Sequence, residues 1–258
     1  MQRGFSLIEL IVALVAAGIV AAGLMLWMAR PLQALQDSHG QAAAIDQAER
    51  IGSRLSAELP QALPNSVRIA CNGRCLEFLP VVAWGDYRSA TPGDTLDFAV
   101  SDDRFDVLMP MSAVPQPGMQ VVINNLNALP SGSGSAYSED ANNNRSSIVA
   151  GSTLQQIRMA PKQFPAPSAA QRFFIVDRPV SWFCQPAAGG GELRRYSGYP
   201  VQGVQPANPS SGDVFAGGIV DCAFDLTAPD LVTLRLQVGG PGGAQMGLLT
   251  QVALDHTP

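Results

Sequence analysis

The sequence predicts an α+β chain. One long N-terminal helix, its first half fit to span a bilayer and its second half amphipathic, packs on an antiparallel, β-sheet-rich domain. Three observations carry this. Residues 5–28 are apolar throughout except for Ser6 and Glu9. Apolar residues then recur at three- and four-residue steps as far as Leu59. Beyond residue 65 the pattern changes to period two and short apolar runs, and the chain's 25 Gly and 20 Pro suit turns and strands better than a helical bundle.

The first helix is justified by length. At 1.5 Å per residue, Phe5–Met28 crosses a hydrocarbon core of about 30 Å. A secretory signal peptide would have a shorter apolar region with a small-residue cleavage site behind it. Glu9 is the anomaly, because a carboxylate in an apolar span costs about 2.5–3.5 kcal/mol unless it is neutralised or partnered. The plain alternative is a glutamate that snorkels to the headgroups, one turn into the run. Ala13, Ala16, Ala17, Gly18, Ala21, Ala22 and Gly23 permit close helix packing, in a membrane or in a filament core. Trp27 suits the membrane interface.

Gly4-Phe5-Ser6-Leu7-Ile8-Glu9, preceded by Arg3, resembles the processing site of type IV prepilins and pseudopilins. The resemblance implies that a prepilin peptidase cuts after Gly4 and that the new N-terminus, Phe5, is N-methylated. It also implies that Glu9, fifth in the mature chain, meets the Phe5 amine of a neighbouring subunit. Opposite charges attract strongly in a low dielectric, and their pairing offsets the desolvation of both. Gly4 suits the cut, since a residue without a side chain lets a peptidase hold the backbone closely. The implied organisation is a leader at 1–4, a membrane and filament-core helix at 5–29, an amphipathic stalk at 30–60 and a periplasmic, β-rich pilin-like domain at 61–258. The implied location is the inner membrane, single-pass with a cytoplasmic N-terminus, and then a pilus or pseudopilus. The implied partners are the prepilin peptidase, other major and minor pilins, the assembly platform of the inner membrane and membrane lipid.

Arg30 reaches the headgroups of the outer face, and Pro31 kinks or restarts the helix. Leu32, Leu35, Ala42, Ile45, Ala48, Ile51, Leu55 and Leu59 form the stripe that packs on the domain. Gly40 and Gly52 weaken the helix locally, and Pro60 and Pro64 close it. The expected strands are 67–70, 76–82, 95–100, 107–109, 120–123, 154–159, 173–176, 180–184, 193–196, 219–226, 232–238 and 248–254. The polar, low-complexity stretch Ser131–Ser147 is expected to be a mobile surface loop. Its Glu139, Asp140 and Asn142–Asn144 offer hard oxygen ligands for calcium, but their spacing matches no EF-hand and a solvated loop is the expectation. Asn144-Arg145-Ser146 fits an N-x-S sequon, a match that arises often by chance.

Four cysteines allow three pairings. Cys71 and Cys75 bracket the turn-forming Asn72-Gly73, which favours Cys71–Cys75 with Cys184–Cys222. The alternative is four reduced, buried thiols, and a location outside the cytoplasm favours disulfides. A zinc site is disfavoured, since the spacing is not CxxC and no histidine is near.

The formal net charge is −5 and the pI about 4.9, with no basic stripe, so no nucleic-acid partner is expected. No cofactor, metal or catalytic residue is assigned. His39 and His256 stand alone. Asp102, Asp103 and Asp106 read as turn carboxylates near Arg104, with acid–base work the remote alternative. Trp84 and Trp182 read as core residues. Segments 75–82, 87–88, 180–184, 193–200 and 248–258 resemble the MshO-like minor pilins of the mannose-sensitive haemagglutinin (MSHA) pilus. The length and plan are also similar to GspJ-like type II secretion pseudopilins. Both resemblances imply a low-copy structural subunit, because a domain of this size suits poorly a major pilin that must tile densely. A tip-located adhesin module is the alternative, and an enzyme is not expected.

Overall fold

The computed structural model describes residues 7–207, 212–228, 230–240 and 243–254, with side chains except at residue 26 and residues 28–37. One helix, α1, runs from Leu7 to Glu58 without a break at Pro31. Its 52 residues make a rod about 78 Å long. The span Leu7–Met25 is exposed along its whole length. The helix ends as Pro60 withholds a donor and the chain tightens into a 3-10 turn, Leu59–Gln61.

Thirteen strands are described: β1 (Arg68–Ala70), β2 (Cys75–Phe78), β3 (Val81–Asp86), β4 (Asp102–Asp106), β5 (Gln120–Ile123), β6 (Arg145–Ser147), β7 (Gln156–Lys162), β8 (Arg172–Val176), β9 (Val180–Gln185), β10 (Gly191–Ser197), β11 (Asp213–Ala228), β12 (Leu231–Gly239) and β13 (Gln245–Ala253). The main sheet is antiparallel, in the order β1-β2-β9-β10-β11-β12-β13. Strands β3 to β8 are an insertion between its neighbours β2 and β9. They build a second lobe from a four-stranded sheet, β3-β8-β5-β6, and a β4-β7 pair.

The stalk half of α1 lies on the main sheet. Ala44, Ala48, Ile51, Leu55 and Leu59 share one core with Trp182, Leu193, Phe224, Leu234 and Leu236. The two stalk glycines do more than weaken the helix. A Cβ on Gly240 would collide with the Gly40 carbonyl, and one on Gly52 would come within 3.3 Å of Leu248 and 3.4 Å of Thr250. Gly40, Ala44, Ala48 and Gly52 are spaced by four, so they form one small-residue ridge where helix and sheet meet most closely. Ala42 is exposed and Ile45 is 40% exposed, both off this ridge. The side chains of Leu32 and Leu35 lie outside the described residues.

The second lobe shows the period of two clearly. Val121, Ile123, Phe173 and Ile175 face its own core, while Val122, Phe174 and Val176 face a small cluster with Leu63, Leu79 and Tyr137 that joins the lobes. A sheet covered on both faces explains why β5 and β8 are continuous apolar runs.

Several expectations are corrected. The expected strand 76–82 breaks at Leu79-Pro80, where the chain leaves one sheet for the other and proline has no N–H to give a ladder. Residues 95–100 and 108–109 form no strand; β4 lies between them, in an acidic segment with weak strand propensity. The polar stretch 131–147 is not simply a surface loop. Ser135, Ala136, Tyr137, Ser138 and Asn144 are buried, because their segment plugs the joint between lobes. Asn144 donates from Nδ2 to the Asn124 carbonyl, which takes the sequon asparagine away from the surface. Trp84 is 56% exposed, since it points outward from edge strand β3, with Arg172 over its ring at 5.1 Å. Trp182 is fully buried.

Gly52→Leu forces a side chain into the closest helix–sheet contact. It is expected to cost about 1–3 kcal/mol, read as a lower thermal midpoint of the full-length protein in detergent.

Candidate functional site

Gly4 and Phe5 lie outside the described residues. Glu9 lies in the first turn of α1, where the partial positive charge of the helix N-terminus favours an acid. It is the sole ionisable residue from Leu7 to Met25. Ala13, Ala16 and Ala17 follow it at i+4, i+7 and i+8, so small side chains share its face of the helix. Gly18 and Gly23 have open space where a Cβ would stand. The apolar half of the rod is therefore shaped for close approach by other helices, with one acid near its end.

The other end of α1 is held by charge. Glu58 accepts from Trp182 Nε1 at 3.2 Å and from Arg195 Nε at 3.1 Å, and pairs with Arg54 at 2.6 Å. Gln47 donates to the Gly217 carbonyl on the same flank. A cleft of about 800 Å³ opens beside this clamp, between the helix end, β9–β10 and the second lobe. Arg54, Glu58 and Arg195 in its wall hold one another, and Arg178 donates to the Gly198 carbonyl at 2.8 Å. No histidine or cysteine lines it. These groups can bind and orient, but they do not form a nucleophile–base pair.

The aspartates of β4 act in the same structural way. Asp102 accepts from the Asp97 N–H and Asp106 from the Asp94 N–H, and Arg104 pairs with Asp94 at 3.2 Å. The Asp94 N–H, with help from Gln156, holds Asp106 below the usual carboxylate range. Glu139 accepts from the Gly203 N–H and Asp140 from the Gly132 N–H, so the acids considered for calcium instead tie down backbone. Among the described residues, no three His, Cys, Asp or Glu gather to hold a metal. His39 is exposed on α1, and His256 lies outside the described residues.

The four cysteines are bonded as Cys71–Cys75 and Cys184–Cys222. The first closes a tight turn at the end of β1, with Asn72 in the left-handed region at φ 55°. The second joins β9 to β11, although β10 lies between them in the sheet. Register shifts between β10 and β11, next to Gly217-Gly218, let β11 turn off β10 and bring the two Cα atoms to 6.1 Å. This bond lies in the core beneath the stalk helix.

A buried polar cluster escaped sequence reasoning. Glu77, on β2, is fully buried. Its Oε1 accepts from Arg68 Nη2 at 2.6 Å, and its Oε2 from Tyr199 at 2.9 Å and Ser181 at 3.2 Å. Arg68 also donates to the carbonyls of Gln202 and Gly203 and stacks at 3.7 Å on Tyr137. Burial pushes the Glu77 carboxyl upward, and Arg68 opposes this. The sequence carried no periodic clue to it: Glu77 alternates with Leu76 and Phe78, which places it on the other face of β2, and that face is buried as well.

Residues 1–25 match the prokaryotic N-terminal methylation motif. The motif indicates a type IV pilin or pseudopilin precursor, and it points to a structural subunit and not to an enzyme. It covers the segment around Glu9 and no part of the sheet domain. No curated protein and no solved structure matches the chain.

Two outcomes follow from this geometry. Loop entropy gives about 4 kcal/mol for the Cys184–Cys222 closure and about 2 kcal/mol for Cys71–Cys75. Denaturant unfolding is expected to show the larger loss for Cys184→Ala/Cys222→Ala. For Glu77, a raised folded pKa means that the unfolded state holds the proton less tightly. Its contribution to stability is present below the ordinary glutamate value and is lost as pH rises through the folded one. Glu77→Gln should flatten that slope in melting curves taken across pH, and Arg68→Ala should steepen it by removing the opposing charge.

Proposed function

We propose that this chain is a minor pilin or pseudopilin, a structural subunit cut between Gly4 and Phe5, N-methylated at Phe5, and drawn into a filament through Glu9. One observation carries the reading. The methylation motif leads into an exposed, apolar half-helix that holds a single acid near its start. In a neighbouring subunit, the charged Phe5 amine is the matching group, and the pair offsets the cost of both charges in an apolar core. The chain is single-pass in the inner membrane before assembly, with the sheet domain on the periplasmic side, where its two disulfides are stable.

The finer assignment is to an MSHA-type pilus, supported by the resemblance of segments 75–82, 180–184 and 193–200 to MshO-like minor pilins. The bulk of the inserted lobe suits a low-copy position better than dense tiling along a shaft. A GspJ-like position in a type II secretion pseudopilus requires the same processing and the same helix.

Mass spectrometry of the mature protein tests the proposal. It should find a chain that begins at N-methyl-Phe5. An intact N-terminus in cells with active prepilin peptidase overturns it. Glu9→Ala should be cleaved normally yet enter filaments at least tenfold less, about the effect of 1.4 kcal/mol, scored by immunoblot of sheared filaments.

A further inference from the structure

β13 is an edge strand that no other described strand pairs on its outer side. Among the described residues it is bonded on one side only, to β12, through nine consecutive pairs without a register shift. Gly240 donates to the Ala244 carbonyl at the hairpin end, which makes 240–244 a hydrogen-bonded pair. Alternation along an antiparallel ladder then turns the N–H and C=O groups of Gln245, Gly247, Leu249, Gln251 and Ala253 away from β12. From Leu236 to Leu254 the sequence holds no charged residue, and β13 holds no proline.

Natural edges are blunted by charge, proline, bulges or shortness, and the other edges here follow that rule. β1 and β6 have three residues each and carry Arg68 and Arg145. β3 follows Pro80, ends at Asp86 and is closed at both ends by isolated bridges. β4 is mostly charged, and β7 carries Arg158, Pro161 and Lys162. β13 departs from all of them. Its helix-facing side carries Met246, Leu248 and Thr250, half-covered, and the buried Val252. Ile45, on the helix flank that Gly52 turns toward β13, continues that strip. Leu249, on the opposite side, is 65% exposed.

We infer that the free edge of β13 accepts a strand from a neighbouring subunit of the filament, which extends the main sheet across the subunit boundary. This rests on the proposed function. The occupant is specified by chemistry. Five pairs of outward backbone groups require an extended backbone, the lack of charge requires an uncharged segment, and the Ile45–Met246–Leu248 strip requires apolar residues at alternate positions. Its source follows from continuity. The exposed half of α1, which neighbours approach in the filament, runs directly into the half that lies against β13.

Residue-resolved amide exchange on the full chain tests this, in detergent micelles and in filaments. In detergent, the amides of residues 245, 247, 249, 251 and 253 should exchange quickly, while those of 246, 248, 250 and 252 are held by β12. In filaments the first set should slow by at least about tenfold. Equal rates in both states overturn the inference, as does protection already present in detergent, which would mean that a second copy covers the edge. Leu249→Pro removes one outward N–H and no β12 bond. It should still be processed at Phe5 but incorporate less, and incorporation at the wild-type level counts against the edge. A chain that is not processed at Phe5 refutes the proposed function instead, so the two failures are distinguishable.

Discussion

The close seat of the stalk helix on the main sheet is the constraint on which the rest depends. In folded proteins a helix is stabilised chiefly by packing one face and not by propensity. Among the described side chains that face lies over its C-terminal part, where Gly40, Ala44, Ala48 and Gly52 let the backbone approach β12 and β13, and Ile51, Leu55 and Leu59 fill the core behind them. Glu58 and Gln47 bond to the sheet on one flank, so the helix is fixed in roll as well as in depth. The described span Leu7–Met25 projects as a consequence. The exposure of the apolar half follows from where the seat ends.

Three glutamates differ in how far the fold encloses them. Glu77 is enclosed completely and is satisfied by an arginine, a tyrosine and a serine from its own chain. Glu58 is half-sheltered between two arginines and an indole, and it holds the helix down. Glu9 sits in a stretch without any basic residue, on a helix face shared with alanines. The first two do structural work inside the domain. The third stands on the exposed apolar span outside it, which is the setting the proposed assembly role requires.

The sequence was legible where one periodicity governed a segment. The apolar run to Met28, the stalk stripe at Ala48, Ile51, Leu55 and Leu59, and the strand 120–123 could all be read directly, because each has a single face or a single environment. It was misleading where a residue served a tertiary need that local pattern does not encode. Gly40 and Gly52 looked like weaknesses of the helix and are its points of contact. Pro80 lay inside an apolar run but marks a change of sheet. Tyr137 stood among serines and asparagines, yet the inserted lobe needs it as a plug. Trp84 looked like core, and edge strand β3 turns it to solvent. The Arg68–Glu77 pair was invisible, since nine residues of separation say nothing until β1 and β2 pair in antiparallel register and set the two side by side.

The inserted lobe sharpens the view of what the domain is for. Strands β3 to β8 leave the main sheet after β2 and return at β9, so they add their bulk at the β1–β2–β9 side. The opposite edge, β13, is left without a covering lobe, a charge or a bulge. An insertion that protected the sheet in general would cap both ends. This one loads one end and leaves the end beside the stalk helix clear. A sheet extended by the same rod that enters a filament core would gain order from both contacts at once, since the helix fixes where the edge lies and the edge fixes how the domain turns about the helix.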